Sequence, residues 1–436
     1  MTAKNIENDI LDLLKREVKP ALGCTEPVAV ALAVSAAAEL LKPTGEDVQI
    51  VEVYVSANIL KNGMGVGVPG TGMTGLHIAA ALGKTCGNSA YKLEVLKDLD
   101  DHSIYEAKKM VSAERIKIKL ADTDLKLYIK AICYSDNHRG VSIIESEHDN
   151  ITSLFLDDKC LYEKITGTGE ISGDNNSVES TIKESLTVKV IYDFASTVSI
   201  DKIAFIMDSA LMNSALAEEG LKNDYGLKVG KTIKNSINDE IFGDTLLSYA
   251  MSLTAAASDA RMAGSKLPAM SNSGSGNQGI AVTLPVIATA NKIGSSRENI
   301  LRALVLSHLI AIHIKNYLGK LSALCGCVIA SAGAACGIVY LKGGGYNNVC
   351  YAIKNMIGNI AGMLCDGAKV GCSLKVASGV SSAVQSSVLA LNNICISDKD
   401  GIIDKDIEQT IKNLGKIGSE GMQGTDNMIL DIMISK

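Results

Sequence analysis

The chain has 436 residues, too many for one ordinary compact domain, and its 47% hydrophobic and 21% charged residues suffice for a large core. Lys and Arg number 42 against 48 Asp and Glu, a net charge of −6, and with no basic block or aromatic platform a nucleic-acid partner is not expected. Aromatics are only 4% and Trp is absent, so the core must be built from Ala, Ile, Leu, Val and Gly.

The N-terminal stretch carries acids inside a helical pattern and no apolar signal core. Eleven cysteines without framework spacing fit reduced cytoplasmic thiols better than disulfides. Residues 6–18 place Ile6, Ile10, Leu13 and Leu14 on one helical face. The next run reads PALGCTEP. Thr25 is the expected N-cap, and Pro27 suits the first turn of a helix over 28–41. Cys24 then falls at or just before a helix N-terminus, where the backbone dipole lowers a thiol pKa. Glu26 is close enough in sequence to act on it. The plain alternative is a buried structural cysteine in a turn.

Residues 50–56 alternate like a strand and lead into a glycine-rich loop at 63–75, then a short helix at 76–82. Gly65, Gly67 and Gly70 satisfy GxGxxG, a pattern that alternating glycines meet easily, while a P-loop fails because Ile78 stands where its first glycine belongs. What survives is a loop whose backbone N–H groups are expected to suit a carboxylate. Residues 113–160 read as strands with a turn at 136–140, and His138 and His148 as exposed loop histidines. The polar run 166–177 marks a candidate boundary.

From Val198 onward the pattern is helical, with helices expected at 200–220 and 246–264. KLPAMSNSGSGNQG at 266–279 then runs into a helix over 280–291. Asn272, Ser273, Gly274, Ser275 and Asn277 crowd hydrogen-bonding groups at a helix start, a candidate substrate-binding site rather than a plain connection. His308 and His313 on the next helix lie too far round from each other for one zinc face. Residues 321–341 carry no charge and are nominally long enough to span a bilayer. Their Gly, Ala, Ser and Cys content points instead to a buried central helix. Lys320 to Ser373 holds six of the cysteines, among them Cys325, Cys327, Cys365 and Cys372. A thiolate cluster that holds iron needs three or four sulfurs from separated segments; buried cysteines also serve as small hydrophobes. Helices at 376–392 and 407–417 complete the chain.

Four stretches together, GCTEP at 23–27, SNSGSGNQG at 271–279, LCGC at 324–327 and CDGAKVGC at 365–372, resemble the L-cysteine desulfidase family. The second half of that family is similar to the α chain of bacterial iron–sulfur L-serine dehydratases. GTGMTGLHIAAALG at 70–83 is also similar to the glycine-rich segment of the serine dehydratase β domain. The resemblance covers nearly the whole chain. It implies an oxygen-sensitive enzyme that uses a 4Fe–4S cluster, and no PLP, to convert L-cysteine and water to pyruvate, ammonia and sulfide. It assigns the cluster to Cys325, Cys365 and Cys372, with Cys327 in reserve for Cys325, and makes Cys24 the candidate base with Glu26 beside it. Some serine dehydratases bring a C-terminal cysteine to the resting cluster. The last residues here hold none, so the fourth iron is expected to be open or capped by Cys24 or solvent. An iron left free in this way acts as a Lewis acid, and a leaving thiolate is a soft ligand for it.

The expected fold is α+β: a mostly helical iron–sulfur catalytic domain at 191–436 and a smaller α/β domain with a mixed sheet at 46–190. An N-terminal helical segment, 1–45, is expected to pack on the catalytic domain and bring Cys24 to the other cysteines. Other readings stay open: L-serine or another β-substituted amino acid at the same site, a non-catalytic amino-acid-binding protein, a structural zinc site that leaves GCTEP without a role, or a small-residue-rich transporter with further uncharged spans. The expected partner is a small amino-acid substrate, with no nucleic acid and no membrane. A homodimer is the expected assembly, although the sequence does not fix it.

Overall fold

Alternation in Ile50–Val55 (β2) turns Val51, Val53 and Val55 to one face, where all three are fully buried. The computed structural model, which describes residues 3–164, 185–238, 241–319 and 322–435, builds a six-stranded sheet around this strand. The predicted boundary loop at 166–177 lies outside the described residues. β2 pairs in parallel with Ile116–Leu120 (β3) and antiparallel with Tyr128–Tyr134 (β4). Arg139–Glu145 (β5), Ile151–Leu156 (β6) and Lys159–Glu163 (β7) then follow as an antiparallel meander to an exposed edge. The sheet is therefore mixed, in the order β3-β2-β4-β5-β6-β7.

The Thr25–Glu39 and Leu76–Thr85 helices cover its buried face, joined in one core with Ile129, Ala131, Cys133 and Ile144. Gly83 lets these helices touch: a Cβ there would stand 2.4 Å from the Ala31 carbonyl oxygen. A second core lies among the helices Arg297–Leu318, Gly326–Leu341 and Tyr346–Ile360, flanked by Leu246–Met262, Gly276–Ile293 and Cys372–Leu391. The fold is α+β, a mostly helical part beside a smaller α/β part, as the sequence indicates.

Gly326–Leu341 is the buried central helix expected from the uncharged run, though it begins only at Gly326. Its small residues admit neighbours closely, since a Cβ at Gly333 would stand 2.3 Å from the Ser307 carbonyl oxygen. Two other segments, 25–44 and Cys372–Leu391, are long and apolar enough to cross a membrane by length and composition; 67% and 56% of them is buried in the fold.

Two segments depart from the sequence reading. The single helix expected at 200–220 is broken into Ile200–Ile203, a 3₁₀ turn at Ala204–Ile206, and Met207–Lys222. Residues 1–45, expected to lie together on the helical part, divide between the two cores. Ala3–Glu17 puts Ile10, Leu13 and Leu14 into the helical core, while Thr25–Glu39 joins the sheet. The latter helix buries eleven successive residues from Pro27 to Ala37, so it needs cover all round, which the sheet and the Leu76–Thr85 helix supply. The chain crosses between the cores at Cys24.

Candidate active site

A strap holds that crossing in place. Pro20–Ala21 (β1) pairs antiparallel with Ala269–Met270 (β8), and the Ser271 and Ser273 amides donate to Lys19 and Glu17 carbonyls at 2.8 and 3.0 Å. Gly23 then turns the chain at φ +70°, and Cys24, not Thr25, is the N-cap of Thr25–Glu39. The sulfur-bearing segments meet in a similar way. Leu324 and Leu364 form a β-bridge, the Cys325 amide donates to Met363 O at 2.9 Å, and the Cys365 amide to Ala323 O at 2.6 Å. Cys325 caps the Gly326–Leu341 helix, and Cys372 opens the Cys372–Leu391 helix.

Between them, Gly367 sits at φ +90° with its absent Cβ 2.4 Å from Lys61 O, and Asp366 pairs with Lys369 and Lys375. Cys372 and Ala368 pack against Cys24, Val66 and Met262. Cys325, Cys365 and Cys372 lie within electrostatic reach of one another, and Cys24 within reach of Cys372. Three helices thus start at cysteines that converge, and a fourth helix start joins them. Ser275 caps Gly276–Ile293, and a Cβ on Gly326 would stand 3.3 Å from Gln278 Oε1.

The 271–279 loop divides its labour. Asn272 is fully buried; its Nδ2 lies 3.1 Å from His308 Nδ1, and its Oδ1 accepts from Gln278 Nε2 at 2.7 Å and from the Ser273 hydroxyl at 3.0 Å. It shapes the loop. Gly274 is exposed, and Ser273, Ser275 and Asn277 are partly exposed. The 63–75 loop departs from its expected use as an anion cradle. The amides of Gly67 and Gly70 donate to Met262 and Gly264 carbonyls, and those of Val68, Thr71 and Gly75 to carbonyls within the loop. Those donors are engaged in docking the loop onto the end of the Leu246–Met262 helix.

Sequence reasoning missed Arg261. It is 6% exposed; its Nη2 donates to Gly23 O at 2.9 Å and its Nη1 to Asn277 Oδ1 at 3.2 Å, tying GCTEP to the 271–279 loop. A signal was present, for Asp259 and Arg261 are the only charges in the Leu246–Met262 helix. His308 and His313 stand apart from the thiols: the first holds Asn272, and the second pairs with Glu408 at 2.7 Å.

With this geometry in view, residues 90–431 match the family described as serine dehydratase alpha chain. The chain belongs to that family. Among its relatives, a UPF0597 protein of Bacteroides thetaiotaomicron is 48% identical over 428 residues, 98% of this chain and 97% of its own length. Another from Oleidesulfovibrio alaskensis is 49% identical over 426 residues, 98% and 97% of the two chains. A third from Aeromonas hydrophila is 46% identical over 429, 98% and 96%. Membership in the serine dehydratase alpha chain family makes this a dehydratase-like enzyme of the lyase type and links it to iron–sulfur dehydratases.

The thiols suit the cofactor to which the serine dehydratase alpha chain family is linked. They are soft donors from three backbone segments, and all eleven cysteines are free. Among the described residues no three His, Cys, Asp or Glu side chains stand close enough to hold one metal ion.

Burial sets most of the protonation states. It pushes the Cys24 thiol up to about 11, against the pull of Arg261 and with a further push from Glu26, so the helix terminus does not produce the lowered pKa expected from sequence. Burial raises Cys365, and raises Cys372 to about 12. Cys325 moves the other way, because Cys327 hydrogen-bonds to its sulfur, and the same bond raises Cys327. The two sulfurs, separated in sequence only by Gly326, are held together by this one bond.

Proposed function

We propose that this chain is an iron–sulfur-dependent β-elimination lyase that converts L-cysteine and water to pyruvate, ammonia and sulfide. The observation that carries the reading is the convergence of three cysteine-started helices, at Cys24, Cys325 and Cys372, with Cys365 beside them. Helix N-termini favour negative charge, so their meeting point suits a bound anionic cluster and a carboxylate substrate. In this reading Cys325, Cys365 and Cys372 hold the 4Fe–4S cluster, and Cys327 supports Cys325 as its hydrogen-bond donor. When bound, the cluster supplies a Lewis-acidic iron to the leaving sulfur.

The chain's own residues do the rest. Cys24 takes the α-proton. Because burial keeps this thiol protonated near neutrality, its own proton must first leave, and the partly exposed Glu26, which acts on Cys24 electrostatically, receives it. Arg261, hydrogen-bonded to Cys24, holds the resulting thiolate. Ser273, Ser275 and Asn277 face the substrate, while Asn272 holds their loop in shape. Elimination leaves an aminoacrylate, which hydrolyses unaided. The reduced thiols and expected oxygen sensitivity suit a cytoplasmic setting.

L-Serine is the second reading, favoured by the match to the serine dehydratase alpha chain family. The test is anaerobic purification with iron and sulfide analysis, then assay of pyruvate and sulfide from L-cysteine and L-serine. About four irons per chain and sulfide from L-cysteine are expected, with Cys365→Ser and Cys372→Ser losing iron and Cys327→Ser retaining it. Pyruvate from L-serine alone would move the assignment to dehydration. Absence of iron even after anaerobic reconstitution would sink the lyase reading.

A further inference from the structure

We infer that Arg261 is the carboxylate receptor of this site, a buried guanidinium that takes the α-carboxylate of the amino-acid ligand. The identity of that ligand as an amino acid rests on the proposed lyase reading; the anion-binding chemistry rests on the geometry.

Arg261 lies one residue from the end of the Leu246–Met262 helix and is 6% exposed. A guanidinium keeps its charge at any ordinary pH, so burying one is costly unless an anion faces it. Its partners here are neutral: Asn277 Oδ1, the Gly23 carbonyl, Met262 Sδ at 3.4 Å and the Cys24 thiol. Among the described residues no carboxylate pairs with it, and its Nε is buried without a partner. Asp259, two residues earlier on the same helix, is turned to the Gly230 amide at 3.0 Å instead.

A second observation shows that the fold makes room for this arrangement. Gly276 opens the Gly276–Ile293 helix, and a Cβ there would stand 2.2 Å from Arg261 Nε and 2.6 Å from Cζ. The missing side chain lets the guanidinium lie flush against the first turn of that helix. The guanidinium and the helix terminus then bring two groups that favour an anion side by side, with Nε–H the donor left without a partner. Ser273, Ser275 and Asn277, just before or within the first turn of that helix, are partly exposed, and Gly274 is exposed.

The placement also orders the reaction. The α-carbon is one bond from the carboxylate, and Cys24 shares the guanidinium, so an anchored carboxylate brings the α-proton beside Cys24. The β-carbon is one bond further from the carboxylate, and Cys372 packs on Cys24.

The test is anaerobic calorimetric binding of L-alanine, which has no leaving group and is not consumed, against L-alaninamide, whose carboxyl is neutral. Wild-type protein is expected to prefer L-alanine by about 100-fold. Arg261→Gln is expected to remove that preference while keeping iron content, and Arg261→Lys to restore part of it, since the charge returns without the fork. Equal binding of the two ligands by the wild type, or binding of neither, overturns the inference even if the variants fail to fold. A preference that survives in Arg261→Gln also overturns it, leaving Arg261 to position Gly23 and Asn277 only. A preference that depends on Arg261, in a protein that releases neither pyruvate nor sulfide from any β-substituted amino acid, upholds the inference while the lyase reading falls.

Discussion

In the 63–75 loop, Gly67 lies against the end of the Leu246–Met262 helix, where a Cβ would stand 2.5 Å from the Ala263 carbonyl carbon, and its amide is already bonded to Met262 O. In the 271–279 loop, Gly274 has φ +78° and nothing within 4 Å of where its Cβ would be. The two loops look alike in sequence, small residues before a helix, and both suit an anion on that basis. Their packing separates them. The first uses glycine for close backbone approach and engages its donors in docking; the second keeps its middle open and presents partly exposed side chains beside a buried arginine. Glycine density therefore marks a special backbone requirement without saying which one.

Substitutions can break this contrast at its points of difference. The largest effect is expected for Gly67→Ala, which forces backbone apart from backbone at Ala263 and should lower unfolding free energy by about 3 kcal/mol in denaturant titration. Gly274→Ala, with open space around it, should cost only about 1 kcal/mol for its left-handed φ. Equal costs would erase the distinction between the loops. Next comes Asn272→Ala, which strips His308 and Gln278 of a buried partner and should cost about 2 kcal/mol in the same measurement.

A pH titration sharpens the same point at His308. Burial lowers its pKa to about 3, and its Nδ1 accepts from Asn272, so the folded protein holds it neutral. Between about 3 and 6.5 the unfolded chain binds a proton that the native state refuses, so stability rises with pH in that window. Acidification below 6.5 should remove about 1.4 kcal/mol per pH unit from this group alone. His308→Asn should flatten that part of the profile; an unchanged slope would place the acid sensitivity elsewhere. An effect as small as that of Gly274→Ala is expected for Ser275→Ala, which removes the cap that accepts the Gln278 amide and should cost about 1 kcal/mol.

The amphipathic start at Ile10, Leu13 and Leu14, the alternation in β2 and the buried Gly326–Leu341 helix were legible because each follows from a local period or from local composition. The broken helix at 200–206 was not, because no proline or glycine marks the break. Cys24, Cys325, Cys365 and Cys372 were legible as a group from their motifs, and the structure brings them together. Their protonation was not. The position of Cys24 at a helix start suggested an acidic thiol, but burial depends on what covers the residue, and the cover comes from Val66, Met262 and Ala368, remote in sequence. Arg261 was overlooked for the same reason: one charge at a helix end is ordinary until its surroundings are known.

The sequence by itself determined most of the elements, the α+β class and the tie to the serine dehydratase alpha chain family, because periodicity and motifs are local and travel with the chain. Only the tertiary structure decided that the chain crosses between its two cores at Cys24, that the 63–75 loop is a docking surface, and that a buried arginine, with no carboxylate partner among the described residues, joins two motifs. These depend on contacts between segments 16 to 238 residues apart in order, where desolvation and close approach, rather than local propensity, set the energy.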